Sequence, residues 1–315
     1  MIQKMAVVFP GQGSQSVGMV ADLYEAFPIV RDTYQEASDA LGFDLWQLSK
    51  DGPAETLNQT VNTQPAVLVA GVACWRVLQE KRTLTPDYFA GHSLGEYAAL
   101  VAAGQLAFVD AVRLARQRAQ AMQSAVPAGV GAMAAILGLD SKTIDAICLD
   151  VSGDDGRVWS ANDNAPGQIV IAGHKAAVDK ACEALKSAGA KRALPLPVSV
   201  PSHCPLMQPA ADKMKQALMA VKWSSASVPV IHNSDVLPHQ TTGDIVTALT
   251  EQLIKPVRWV DTIRYFKANN VGTIIEVGPR KVLAGLNKRI ERDMVAKSLF
   301  DMTSLNDVLG WLDQS

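Results

Sequence analysis

Cysteine is scarce in this sequence, with 4 in 315 residues, at Cys74, Cys148, Cys182 and Cys204. None of them forms a CxxC pair, so neither a disulfide framework nor a metal-ligand set is expected. No sign of charge dominates: Lys and Arg number 29, Asp and Glu 31, for a formal net charge of −2. Phosphate backbones require a clustered basic surface, so nucleic acid is not expected as the main partner. No apolar run reaches the roughly 18 residues of a membrane span. Met5 to Pro10 is too short for the apolar core of a signal peptide and is broken by Pro10 and Gly11. A soluble, cytoplasmic globular protein is the expectation.

What is abundant is apolar side chain, 48% of residues against 19% charged, enough for a substantial core. The length suits one large domain or one domain carrying an insertion. "MAVVFPGQGSQ" reads as a buried strand opening into a glycine-rich loop. Ala21 to Leu41 reads as an amphipathic helix, and "QPAVLVAGVACWRVLQEK" as a helix crossing the core. "DYFAG" reads as a second buried strand. It leads into "LGEYAALVAAG", a helix of small residues able to lie close against a sheet, and then into the helix "FVDAVRLARQRAQAMQSAV". Beyond residue 127 the pattern changes. Strand "GAMAAILGL", helix "SKTIDAICLDV", strands "RVWSAN" and "GQIVIAG", helix "KAAVDKACEALKSAG" and strand "AKRALPLPV" follow in β-α-β-β-α-β order, the ferredoxin-like sequence of elements. The expected class is therefore α/β. A large α/β-hydrolase-like domain with a parallel sheet core, residues 1–126 and 199–315, carries an inserted ferredoxin-like small subdomain over 127–198. After the insertion come the strand "VPVIHNS", the helix "GDIVTALTEQLI", a helix from Val257 and the strand "GTIIEVG".

The chemistry points to Gly91-His92-Ser93-Leu94-Gly95. This GxSxG pattern lies between a strand and a helix, the setting that exposes a serine at the C-terminal edge of a sheet. The alternative is a glycine-rich turn with an incidental serine. His92 is a poor base for Ser93, because neighbours on a sharp turn project in different directions; it is expected to pack beneath the elbow. His174 reads as a surface turn residue and His239 as a solvated loop residue. His232, after a buried strand, is a candidate to support the site. His203 is the better base candidate, since Pro195, Pro197, Pro201 and Pro205 stiffen the loop around it. Its alternative is a loop histidine that caps the following helix. Cys204 reads as a small buried residue. Two glycine patterns do not support a nicotinamide cofactor. "GQGSQSVG" has Ser16 where the third glycine belongs, and "GVGAMA" precedes a strand and opens no helix.

Taken together and in order, "VFPGQGSQSVGM", "TQPAVL", "GHSLGEYAAL", "MQSAVPAGVGAMAAI", "PGQIVIAGHK", "ALPLPVSVPSHCPLM" and "EVGPRKVL" span Met5 to about Arg289. With these motifs the chain resembles the malonyl-CoA:acyl-carrier-protein transacylases of bacterial fatty-acid synthesis. The resemblance implies a ping-pong acyl transfer with malonyl-CoA as donor and the phosphopantetheine thiol of an acidic acyl carrier protein as acceptor. It implies no permanently bound cofactor and no metal, and a monomer is expected. Ser93 would be the nucleophile and His203 its base, a dyad without an acidic third member. Main-chain carbonyls at Asn233 and Gln252 would orient the imidazole. Leu94 and Gln12 would supply oxyanion donors, and Arg118 would grip the free carboxylate of the acyl group, with guanidinium suited to two-pronged binding. Arg113 and Arg116 read as solvated-face charges or salt-bridge partners. Asn162 would lie near the pocket. Lys191, Arg192, Lys281 and Lys288 are candidates for carrier docking, with ordinary surface charge as the alternative. Arg280 departs from the family, which often has glycine there. The last twenty or so residues carry little signal. Two other functions share the elbow. One is an esterase or thioesterase of the α/β-hydrolase type, disfavoured by a mid-chain His203 and the absence of an evident acid. The other is a malonyl transacylase serving malonate decarboxylation or polyketide assembly.

Overall fold

A computed structural model describes residues 4–154, 156–198 and 200–314. In chain order its strands are β1 (Lys4–Phe9), β2 (Tyr88–Gly91), β3 (Gly131–Leu137), β4 (Val158–Ala165), β5 (Gln168–His174), β6 (Arg192–Pro195), β7 (Val230–Ile231), β8 (Val257–Arg258), β9 (Val271–Val277) and β10 (Val295–Leu299). Among the described residues these form two five-stranded sheets.

The first sheet is parallel, in the order β10-β9-β1-β2-β7. Val7 stands opposite Phe89 on one side and Ile275 on the other. Side chains alternate across a strand, and both faces here are covered, which is why "AVVF" is apolar without interruption. Val7, Phe9 and Phe89 enter a core with Val67 and Trp75 of the helix Thr60–Lys81 and Leu249 of the helix Thr242–Ile254. Ala6, Val8 and Ala90 enter a second core with Trp259, Ile263 and Phe266 of the helix Trp259–Ala268. The sheet and its helices give the expected α/β architecture.

The second sheet runs β6-β3-β5-β4-β8. Its first four strands are antiparallel, and the helices Ser141–Asp150 and Lys175–Ser187 cover one face with Ile144, Cys148, Val178, Ala181 and Leu185. This is the ferredoxin-like arrangement. The opposite face, with Met133, Ala161, Val170 and Ala172, packs on Cys204 and Leu206 of the loop that carries His203. The fifth strand, β8, comes from the other part of the chain and pairs in parallel with β4, Asn162 opposite Val257. The sequence reading began a helix at Val257; the structure makes Val257–Arg258 a strand and starts the helix at Trp259. Pro256 causes this: it keeps Lys255 extended, at φ −119° and ψ 155°, so the chain runs straight before it coils.

Other differences from the sequence reading have equally local causes. The helix expected over Ala21 to Leu41 is two helices, Ala21–Ala26 and Pro28–Leu41, because Phe27 precedes a proline and adopts extended backbone. The C-terminal end, which carried little signal, holds edge strand β10 and the helix Met302–Leu312. That helix is started by a capping box between Asp301 and Ser304. "EVGPRKVL" begins with a structural carboxylate. Glu276, one residue before the end of β9, accepts the N–H groups of Val282, Leu283 and Ala284, each at 2.8 Å, at the start of the helix Leu283–Ile290. Among the described residues no helix is long and apolar enough to cross a membrane.

Two glycines bring the serine turn onto the sheet. A Cβ on Gly91 would fall 1.9 Å from the main-chain carbon of Gly95, and one on Gly95 would fall 2.2 Å from the carbonyl oxygen of Phe9. The helix Gly95–Ala102 can therefore start directly against β1. Gly91→Ala is expected to lower stability by about 3 kcal/mol, because the obstructing atoms are backbone and cannot rotate away. Urea unfolding measures this, and an unchanged midpoint would count against the close approach.

Candidate active site

β2 ends at Gly91, the chain turns through His92 and Ser93, and the helix begins at Gly95. Ser93 sits at φ 53°, in the left-handed region that non-glycine residues seldom occupy. The turn is over-determined by its surroundings. The side chain of Asn233 accepts from the Ser93 N–H at 2.7 Å and donates to the Gly91 carbonyl at 2.7 Å, bracketing the elbow from the far side. Strain of this kind persists only where neighbouring structure holds it.

His203 also has positive φ, 61°, and is buried in the proline-stiffened loop. Its Nε2 lies 2.8 Å from Ser93 Oγ, across 110 residues of sequence. Its Nδ1 lies 2.7 Å from the carbonyl oxygen of Gln252. A carbonyl can only accept, so Nδ1 carries the proton and Nε2 is left as the acceptor for the serine hydroxyl. The Gln252 carbonyl is available for a simple reason. Its partner in a continuing helix would be the N–H of residue 256, and Pro256 has none. Burial, and the guanidinium of Arg118 nearby, push the His203 pKa down to about 3 while the Gln252 carbonyl opposes the shift. The imidazole is therefore held neutral, the form a base needs.

Arg118 lies on the helix Phe108–Gln123 in the buried stripe with Ala111, Ala115 and Met122. It is only 1% exposed. One terminal nitrogen donates to Gln64 Oε1 at 2.9 Å; the other donates to Gln252 Oε1 at 2.8 Å and to Ser93 Oγ at 3.2 Å. Among the described residues no carboxylate stands within ion-pair distance of it. Burial lowers its pKa from the ordinary arginine value. A buried cation surrounded by neutral acceptors is electrostatically incomplete, and an anion brought beside it gains what the protein itself does not provide. By contrast, Arg113 is exposed and Arg116 is spent on the Val61 carbonyl and Asn62 Oδ1.

A cavity of about 210 Å³ joins these groups, lined by Gln12, Ser93, Leu94, Arg118, Asn162 and His203 among others. His203 also borders a larger groove of about 680 Å³ with Trp159, Pro205 and Ile254. Ser93 and Arg118 face the smaller cavity, which locates the chemistry there. His92 lines the same cavity, with its Nε2 2.7 Å from Asn164 Oδ1 and its ring against Trp259. Cys204 is buried, its thiol donates to the Pro201 carbonyl, and burial pushes its pKa up to about 12, so it is no rival nucleophile. His174 accepts from the Arg157 N–H, while His239 pairs with Asp235 at 2.6 Å instead of standing free in solvent.

One expectation needs correction. Asn233 does not orient His203 through its carbonyl, which instead accepts from the Arg258 N–H at 3.4 Å; its side chain holds the serine elbow. Three polar residues, and the side-chain role of Gln252, add to the set expected from the sequence. Gln64 holds Arg118, Asn164 holds His92, the side chain of Gln252 bridges Arg118 and the elbow, and buried Glu96 bonds His232, Asn233 and Gln252. Two of them had a sequence signal: Gln64 directly precedes the long apolar run "PAVLVAGVACW", and Glu96 is a single charged residue in the apolar helix "LGEYAALVAAG".

An elbow serine facing a neutral imidazole, with a cation set beside the hydroxyl, is the machinery of a serine acyltransferase. The acyl transferase domain family model matches residues 6–299. The malonyl CoA-acyl carrier protein transacylase of Escherichia coli K12 is 53% identical over 304 residues, covering 96% of this chain and 97% of that protein. The structure of the transacylase of that name from Coxiella burnetii superposes with a TM-score of 0.96 at 49% identity, covering 98% of this chain and 97% of that one. A structure of a type II PKS acyl-carrier protein in complex with its malonyl-transacylase matches with a TM-score of 0.95 at 51% identity, covering 98% and 99%. The chain belongs to the malonyl CoA-acyl carrier protein transacylase family.

The lowered pKa of His203 has a signed consequence. The folded protein resists protonation that the unfolded chain accepts near pH 6.5, so the contribution of His203 to stability is full above 6.5 and is lost as pH falls towards about 3. The reactivity of Ser93 should persist over the same window. Labelling of Ser93 by a fluorophosphonate is expected to lose rate only well below pH 6.5; a midpoint at or above 6.5 would show an exposed, ordinary imidazole.

Proposed function

We propose that this protein moves the malonyl group from malonyl-CoA to the phosphopantetheine thiol of an acyl carrier protein through a malonyl ester on Ser93, supplying fatty-acid chain elongation. The observation that carries the reading is the buried guanidinium of Arg118, 3.2 Å from the serine oxygen and without an acidic partner among the described residues. A three-carbon diacid half-ester places its free carboxylate against that cation when its carbonyl carbon reaches Ser93.

In the first half-reaction His203 Nε2 takes the hydroxyl proton as Ser93 Oγ bonds to the thioester carbon. The carbon–sulfur bond then breaks, and the coenzyme A thiolate leaves with the proton from His203. In the second half the carrier thiol gives its proton to His203, its sulfur bonds to the acyl carbon, and the serine oxygen leaves and recovers the proton. The N–H groups of Leu94 and Gln12 receive the negative charge on the carbonyl oxygen, each worth about 3–4 kcal/mol in acyl-transfer sites. Both residues line the cavity with Ser93. Gln252 orients the base through its carbonyl and Arg118 through its amide. Asn233 keeps the elbow in shape, and His92 and Asn162 shape the cavity wall.

The acidic carrier docks against exposed Lys191, Arg192, Lys281 and Lys288, and exposed Arg280 alters the charge of the neighbouring loop. The site draws on one chain, which suits a monomer with the two sheets serving as subdomains, 1–126 with 199–315 and 127–198. Coenzyme A thioesters as substrates, and no membrane-crossing helix among the described residues, suit the cytoplasm.

Mass spectrometry after mixing with malonyl-CoA is expected to find a malonyl ester on Ser93, absent in Ser93→Ala. Free malonate as the main product in the presence of carrier would make the protein a hydrolase. Arg118→Met is expected to lower malonyl transfer about 100-fold or more, as the loss of a buried charge-assisted pair implies. Acetyl transfer should fall less or rise, and equal loss for both donors would remove the carboxylate clamp.

A further inference from the structure

The mechanism leaves one buried carboxylate beside the site without a part. Glu96 lies in the first turn of the helix Gly95–Ala102 and is fully buried. Every group that touches it through a hydrogen bond is a donor. His232 Nδ1 bonds one oxygen; the Asn233 N–H at 3.2 Å and Gln252 Nε2 at 2.8 Å bond the other. Glu96 has no hydrogen bond to His203, so it is not the third member of a triad. It acts on the two residues that hold the site together.

A glutamine amide is nearly symmetric in shape, and only its hydrogen-bond partners decide which end faces which way. Gln252 turns Nε2 towards Glu96 and towards the Ser93 carbonyl, 2.9 Å away, and this leaves Oε1 facing Arg118 at 2.8 Å. Turned over, the amide would set N–H against guanidinium N–H, and its oxygen against a carboxylate and a carbonyl. A carboxylate oxygen and a carbonyl both accept, which excludes that arrangement.

We propose that Glu96 is a positioning residue for acyl selectivity: it fixes the direction of the Gln252 amide, which in turn holds Arg118 in place for the carboxylate of an acidic acyl group. Glu96 thereby favours acidic over plain acyl chains without touching either. The inference rests on the acyl-transfer reading of Ser93, His203 and Arg118. Glu96 also answers how a buried arginine is tolerated, since its balancing charge stands one residue removed, relayed by a neutral amide.

Glu96→Gln tests this. The new amide presents N–H where every neighbour already donates, and the Gln252 amide is freed to turn over. The ratio of kcat/KM for malonyl-CoA to that for acetyl-CoA is expected to fall about tenfold or more, the scale of one charge-assisted hydrogen bond. Gln252→Met keeps the main-chain carbonyl for His203 and is expected to show the same fall. The double variant should fall no further, because both changes break one link. An unchanged ratio in Glu96→Gln, or parallel loss for both donors, overturns the proposal. Should Glu96→Gln not fold, an unchanged ratio in Gln252→Met overturns it instead. Failure of the underlying acyl-transfer reading would show separately, as wild-type protein that forms no malonyl ester on Ser93.

Discussion

The site depends on the hydrogen bond from His203 Nδ1 to the carbonyl of Gln252. It sets the tautomer, and with the tautomer it sets which nitrogen faces Ser93. In serine hydrolases a carboxylate does this work and stabilises the imidazolium as it forms. A neutral carbonyl orients the ring as well but offers less to its charged form. With burial and Arg118 acting in the same direction, the resting imidazole stays unprotonated. The carbonyl is spare because Pro256 cannot donate to it. A proline four residues on thus serves catalysis through the N–H it lacks, and the same proline straightens the chain into β8.

Charge at the site is distributed with similar economy. The cation stands beside the nucleophile, and the nearest buried anion bonded into the same network, Glu96, is separated from it by the Gln252 amide. Direct contact between the two would neutralise the guanidinium and leave little for a substrate to gain. Complete isolation would leave a buried charge with no compensation, which is strongly destabilising. The intervening amide passes on orientation and part of the field while keeping the guanidinium open to an external carboxylate.

The two sheets contribute unequally. The parallel sheet carries the serine at the end of β2 and brings the loop after β1 alongside it. The smaller sheet supplies a wall, through Met133, Asn162 and Val170, and packs behind the His203 loop at Cys204. β8 joins them by main-chain pairing with β4, and Arg289 adds side-chain bonds to Gln168 and the Pro166 carbonyl. The cavity wall is therefore tied to the body that bears the nucleophile, which holds the acyl pocket to a definite width.

Local signals told a great deal. The elbow serine, the glycines around it, the short apolar run of β2 and the β-α-β-β-α-β order of the insertion all reside in short stretches, because periodicity and turn chemistry act over a few residues. The resemblance carried His203 and Arg118, and the folded helix, with Arg118 in a buried stripe beside Ala111, Ala115 and Met122, shows why it is the buried one of the three arginines there. The two-residue strand β8 has too little length to show a period, and the helix break at Phe27 was hidden within an amphipathic run. What only the folded chain decided is the polar network: which end of Gln252 faces Arg118, that Asn233 works through its side chain, and that Glu96 lies beneath both. Those partners stand 134 to 159 residues apart in sequence. Hydrogen-bond direction is a property of contacts, and an amide or carboxylate read in isolation bears no mark of what it will meet.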